Sequence, residues 1–204
     1  MLRSRSPIYA FVLAVLVWLP PLYAVWYLAA PYHLAPSVMV VDQVFTWLWP
    51  EVIRKIGLVG HQVLVITGLV SGGNQGASLA LELTPLQYSY SYVLFAGLVL
   101  ATPSSSKFER LMFGFLILFV AQLWSLGFDV LKALVFDVGK PFEAHAAFSQ
   151  YQREIVALGY QFGKLMLPAI LPVIIWVGMH QGFLRRLAPQ WLAAGQREVP
   201  DTQD

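Results

Sequence analysis

The stretch Leu111–Phe136, LMFGFLILFVAQLWSLGFDVLKALVF, decides what kind of protein this is. Its first sixteen residues carry one strongly polar side chain, Gln122, and no charge. As a helix the stretch rises about 39 Å, more than the roughly 30 Å hydrocarbon core of a bilayer. Lys107 and Arg110 precede it, where basic residues anchor a helix at a cytoplasmic headgroup layer. Asp129 and Lys132 stand near its far end, one helical turn apart, and charges there are costly to hold in lipid.

The rest of the chain agrees with a membrane setting. Of 204 residues 58% are hydrophobic and only 12% are charged, and the mean hydropathy is +0.64. A soluble domain would carry about twice that share of charge. The net charge of +2 and the absence of any basic stripe interleaved with aromatics argue against nucleic acid as a partner. There is no cysteine, which excludes disulfides, thiolate metal sites and cysteine nucleophiles.

Working outward, three further spans follow from the apolar runs at about 8–30, 86–103 and 155–179. Arg3 and Arg5 precede the first, and Arg185 and Arg186 follow the last. With Lys107 and Arg110, these residues put the basic flanks on one side under the positive-inside rule, so both termini are expected in the cytoplasm. The first run also fits a signal peptide, but it is long and lacks a clean small-x-small site, which favours an uncleaved anchor. Pro20 and Pro21 inside it are expected to kink or loosen the helix. Tyr88, Tyr90 and Tyr92 crowd the start of the run at 86–103, as in an outer-interface aromatic belt.

Residues 31–85 then form an insertion on the outer side, and 137–154 a second outer loop. From Pro36 to Ile56, apolar residues recur at three- and four-residue spacing, the pattern of an amphipathic helix lying on lipid or on the protein's own spans. His61–Val70 and Ala77–Leu83 alternate or are β-branched and are separated by SGGNQG, which predicts a β-hairpin with a glycine-rich tip at Gly72 and Gly73. Such a hairpin offers an edge to another chain, which makes Val63, Val65, Gly72 and Gly73 candidate partner contacts. The tail, 181–204, is polar and cytoplasmic on this reading. The fold class expected is an all-α polytopic membrane protein: one membrane domain of four spans carrying a small periplasmic helix plus β-hairpin insertion.

Chemistry is sparse. His33, His61, His145 and His180 lie far apart with no metal-ligand spacing. SGGNQG lacks the Lys-Ser/Thr of a phosphate loop, and no GxSxG elbow occurs. No catalytic, cofactor-binding or metal-ligating set is therefore expected. What remains is an intramembrane polar cluster of Asp129, Lys132, Gln161 and Lys164. Beside it, Gly159 and Gly163 form a small-xxx-small pair suited to close helix packing. Lys164 is either a snorkelling lysine on a packed helix or a partner for Asp129 across the helix interface.

TPLQYSYSYVLFAGLVLATP, then FDVLKALVF, then ALGYQFGKLMLPAILPVIIW resemble the exosortase H-associated membrane protein family over nearly the whole chain. The resemblance implies a small bacterial membrane protein working beside an exosortase, with no catalytic residues to carry across. Exosortases cut sorting signals with an intramembrane cysteine and arginine and histidine partners, so a chain without cysteine is not a sortase of that kind. The expected role is a non-enzymatic accessory in the inner membrane, in contact with lipid and with an exosortase or its sorted substrates. The alternative is a small transporter or channel component built on the polar cluster, against which stands the lack of an inverted repeat. Neither reading fixes an oligomeric state.

Overall fold

The computed structural model describes residues 7–70 and 78–187. Helix α1 (Pro7–Leu28) runs unbroken through Pro20 and Pro21, and after a turn at Ala29 the chain continues as α2 (Ala30–Leu48). Three strands follow, β1 (Ile53–Val59), β2 (Gln62–Val70) and β3 (Ser78–Leu83). A one-turn helix α3 (Leu86–Ser89) leads into α4 (Ser91–Ala101). Helix α5 (Lys107–Lys132) is prolonged by a π-helical turn, Ala133–Val138, before the short α6 (Lys140–Glu143). Helix α7 (Gln150–Gln161), a second π-helical turn (Phe162–Met166) and α8 (Leu167–Met179) form one long rod, followed by α9 (Gln181–Leu187).

Three of these units are long and apolar enough to cross a membrane: Pro7–Leu28, Lys107–Val138 and Gln150–Met179. The run expected as a span at 86–103 is shorter, broken at Tyr90 into α3 and α4. At about 1.5 Å per residue, Leu86–Ala101 rises only about 24 Å, less than a bilayer core. It is nonetheless the innermost helix, packed against α1, α5 and α8. Phe95 and Val99 are wholly buried there, with Leu118 of α5 and Trp176 of α8 in the same core.

Two features of the expected fold are corrected. The protein is mostly helical but not all-α, and the expected two-stranded hairpin is a three-stranded antiparallel sheet ordered β1-β2-β3. Part of the stretch read as one amphipathic helix, Pro36–Ile56, is strand: α2 stops at Leu48, and β1 starts at Ile53. Pro50 explains the break, because the residue before a proline is pushed out of the helical region. β1 and β2 meet at the two-residue turn Gly60–His61, with Val59 opposite Gln62. Gly60 takes φ +61°, the positive angle such a tight hairpin requires at its first turn residue.

The sheet lies on α2. Asp42 of α2 ties it down by accepting from the Ile56 N–H at 2.6 Å. At its tip, the His61 ring stacks on Tyr27 and hydrogen-bonds the Tyr27 carbonyl. A second core forms here, from Val41 and Phe45 of α2, Ile53, Ile56, Val63 and Val65 of the sheet, Val130 of α5 and Leu134 of the π-helical turn after it. The molecule therefore has a helical bundle at one end and a sheet-capped layer at the other, with α5 running through both. Between them the buried Gln122 amide donates to Ser37 Oγ of α2 at 2.8 Å, which explains the one polar residue in the apolar half of α5.

Candidate functional site

The two π-helical turns, Ala133–Val138 and Phe162–Met166, follow or contain the polar residues expected from the sequence. The turn at Phe162–Met166 has a local cause. Pro168 has no N–H to bond the Lys164 carbonyl, and its ring crowds that carbonyl, so the backbone widens ahead of it. The widened turn carries Lys164 and lies against α5. The other π-turn, Ala133–Val138, ends at Gly139, whose φ is +64°. It carries Asp137.

Around these turns the charges pair locally. Lys164 Nζ donates to the Tyr160 hydroxyl at 2.7 Å, one helical turn away, and lies 4.9 Å from that ring's centre. Lys132 Nζ donates to both carboxylate oxygens of Asp137 at 2.8 Å and lies 5.8 Å from the same ring. Tyr160 thus stands between two lysines. Asp129 is 4% exposed, and its Oδ2 is buried without a hydrogen-bond partner among the described residues. The charges of Lys164 and Lys132 are close enough to act on it, but neither is bonded to it. The Tyr88 hydroxyl, buried and also unpartnered, belongs to the same neighbourhood and feels Asp129 electrostatically.

Gln161 stands outside this group, exposed beside Phe162 and Leu165 in an apolar groove that Trp124 and Phe128 of α5 also line. Gly159 and Gly163 face α5. A Cβ on Gly159 would lie 2.1 Å from the Phe128 ring, and one on Gly163 would lie 3.0 Å from the Ser125 Cα. The missing side chains also free backbone carbonyls for contact: Ser125 Oγ donates to Gly163 O at 2.7 Å, and Trp124 Nε1 to Gly159 O at 3.3 Å.

The expected partner contacts fare differently. Val63 and Val65 are 0% exposed, inside the core beneath the sheet. Their strand, β2, is the central one, hydrogen-bonded on both sides. They are therefore core residues, and the edges belong to β1 and β3. β2 would be an edge only in a two-stranded hairpin, and here β1 pairs along its other side. Gly72 and Gly73 lie outside the described residues.

The cluster also holds Asp137 and Tyr160, which the sequence does not mark, and Tyr88, which is buried at 3% exposure and not at a membrane interface as its place in the aromatic run suggests. Tyr160 was within reach, because it precedes Lys164 by four residues, the spacing at which helical side chains meet. Asp137 follows Lys132 by five, a distance that an α-helix does not bring together and a π-turn does. Among the described residues, no group of three or more histidine, aspartate or glutamate side chains is placed to hold a metal ion.

A family model described as exosortase H-associated membrane protein matches residues 5–183. No curated protein and no solved structure matches the chain.

Proposed function

The chain belongs to the exosortase H-associated membrane protein family, and from that premise we propose that it is a non-enzymatic accessory of an exosortase-type protein-sorting system in the bacterial inner membrane. The family match, spanning nearly the whole chain, is the observation that carries this reading. A chain without cysteine supports a role beside the sorting enzyme over a role as one.

On this reading the protein crosses the bilayer four times, with both ends of the chain in the cytoplasm. Support comes from one end of the bundle, where Pro7, Ala101, Arg110 and Met179 line the same cavity. The start of α1, the end of α4, the start of α5 and the end of α8 then share one side, and α3–α4 makes the return crossing. Its shortness is tolerable because α1, α5 and α8 sheathe it, so little of its length must match lipid. Lys107, Arg110 and Arg185 lie near this end, as cytoplasmic basic residues should.

The sheet-capped layer then projects on the periplasmic side and is the surface offered to an exosortase or its substrate. It carries exposed aromatic and apolar side chains on α2, among them Tyr32, Met39 and Trp47, of the kind that anchor protein contacts. The test is co-expression of the tagged full chain with an exosortase H in membranes. A photo-crosslinker at Trp47 should capture the exosortase, while one at Phe108, exposed at the opposite end, should not. Failure to recover the exosortase by either cross-linking or co-purification would overturn the proposal.

A further inference from the structure

The end of the bundle away from the sheet bears an open cavity of about 700 Å³. Its lining includes Phe11 of α1, Ser104 and Ser105 of the loop after α4, Arg110 of α5, and His180 and Gly182. Two of these residues have unused polar capacity. His180 is 2% exposed. Its Nδ1 lies 3.0 Å from the Trp176 carbonyl, which can only accept, so Nδ1 carries the proton. Nε2 is left buried and unpartnered among the described residues, and on the neutral ring it is an acceptor waiting for a donor. Arg110 has no carboxylate within ion-pairing distance among the described residues, and its charge reaches His180.

The imidazole is held firmly in place. It stacks on Trp176, with ring centres 5.8 Å apart. Trp176 Nε1 in turn donates to Thr102 Oγ1 at 2.9 Å, and that hydroxyl donates to the Leu98 carbonyl at 2.7 Å. A buried acceptor left without a donor is costly, and a guanidinium recognises phosphate geometry well. A ligand that satisfies both must be anionic at one atom and a hydrogen-bond donor at another.

We propose that this cavity binds a phosphate group with an adjoining hydroxyl, its anionic oxygens on Arg110 and its hydroxyl donating to His180 Nε2. The Ser104 and Ser105 hydroxyls line the same space and add hydrogen bonds. The headgroup of an anionic glycerophospholipid has this chemistry, and so does a soluble phosphate monoester. The setting favours the lipid, since the cavity opens where the apolar helices Pro7–Leu28, Lys107–Val138 and Gln150–Met179 begin or end. This inference is independent of any exosortase contact.

The test uses the purified full chain in detergent. Thermal unfolding is followed with added dioleoyl phosphatidylglycerol, dioleoyl phosphatidylcholine, glycerol 3-phosphate or inorganic phosphate. Phosphatidylglycerol should protect at a concentration at least about tenfold lower than phosphatidylcholine, whose choline offers no donor. Arg110→Gln should abolish that preference. So should Gly182→Leu, which fills the space: a Cβ at Gly182 meets nothing within 4 Å, so the fold survives if Arg110→Gln does not. Protection by glycerol 3-phosphate or inorganic phosphate at equal concentrations would support the site and assign it to soluble phosphate. Equal protection by the two lipids with none from the soluble phosphates, or a preference that persists in Gly182→Leu, would overturn the proposal.

Discussion

Adding one methyl group at Gly114 tests how tightly the bundle closes around α4. A Cβ there would lie 2.0 and 2.1 Å from two atoms of the Phe95 ring. Carbon atoms pack at about 3.5–4.0 Å, so the ring or the helix must retreat by about 1.5 Å. Phe95 is 0% exposed, on a helix enclosed by α1, α5 and α8, so it has nowhere to go. Overpacking of this kind costs about 1–3 kcal/mol, and here the upper end applies. The better helix propensity of alanine returns about 1 kcal/mol, leaving Gly114→Ala destabilised by about 2 kcal/mol. Gly178 is the control, because a Cβ there meets nothing within 4 Å. Gly178→Ala should be neutral or stabilised by up to about 1 kcal/mol. Gly159→Ala falls between. Its Cβ would strike Phe128, but that ring is half-buried at the lip of an apolar groove. It can turn aside at the cost of its contact with Trp124, about 1 kcal/mol. Reversible unfolding in detergent, followed by tryptophan fluorescence, should rank the three in that order over a range of about 3 kcal/mol. Phe95→Leu should partly rescue Gly114→Ala, with a coupling above about 1 kcal/mol. If Gly114→Ala unfolded within about 0.5 kcal/mol of Gly178→Ala, the packing argument would be refuted.

Other outcomes follow from the polar cluster, the topology and the histidines. Because Lys164 bonds Tyr160 and not Asp129, a double-mutant cycle of Lys164→Met with Tyr160→Phe should show a coupling of about 1 kcal/mol or more, and one with Asp129→Asn a smaller value; the reverse order would mean that the aspartate is the true partner. Lys132→Met should cost less than about 1 kcal/mol, since its pair with Asp137 is one-third to one-half exposed; a loss above about 2 kcal/mol would show that the pair does more than the geometry implies. In this cysteine-free chain, single cysteines at Ser105 and Glu51 should be labelled from opposite sides by an impermeant maleimide, and labelling of both from one side would refute the four-crossing topology. Burial holds the His33 imidazole below its ordinary value of 6.5, and His180 is lowered for the same first reason. The stability these neutral rings contribute is complete above about pH 6.5 and is lost as the pH falls toward their depressed folded values. The melting temperature should therefore drop between about pH 7.5 and pH 5.5. His33→Phe, keeping the contacts with Trp26 and Tyr92, should make that drop shallower; an unchanged slope would rule His33 out as a source.

The amino-acid sequence by itself determined that the chain is a membrane protein, because several apolar runs long enough to cross a bilayer core, with few or no charges, have no comparable place in a soluble domain. It also determined the position of the two longest rods, Lys107–Val138 and Gln150–Met179, and its short motifs carried the family. It pointed to the glycines of α7 and its π-turn, since small residues four apart mark a close approach whatever lies opposite. Only the tertiary structure decided what lay opposite: Phe128 and Ser125. Only the tertiary structure separated strand β1 from α2, because Ile53 and Ile56 suit a helix face as well as a strand until Val63 and Val65 pack beside them. The same holds for the charges. The sequence offered Lys164 as a partner for Asp129 across the helix interface, but hydrogen bonds are decided over tenths of an ångström. Ordinary four-residue helical spacing gave Lys164 to Tyr160, but it took the widened turn after α5 to give Lys132 to Asp137. A π-turn moves each following side chain around the helix by most of a residue, and no periodicity in the sequence records that shift.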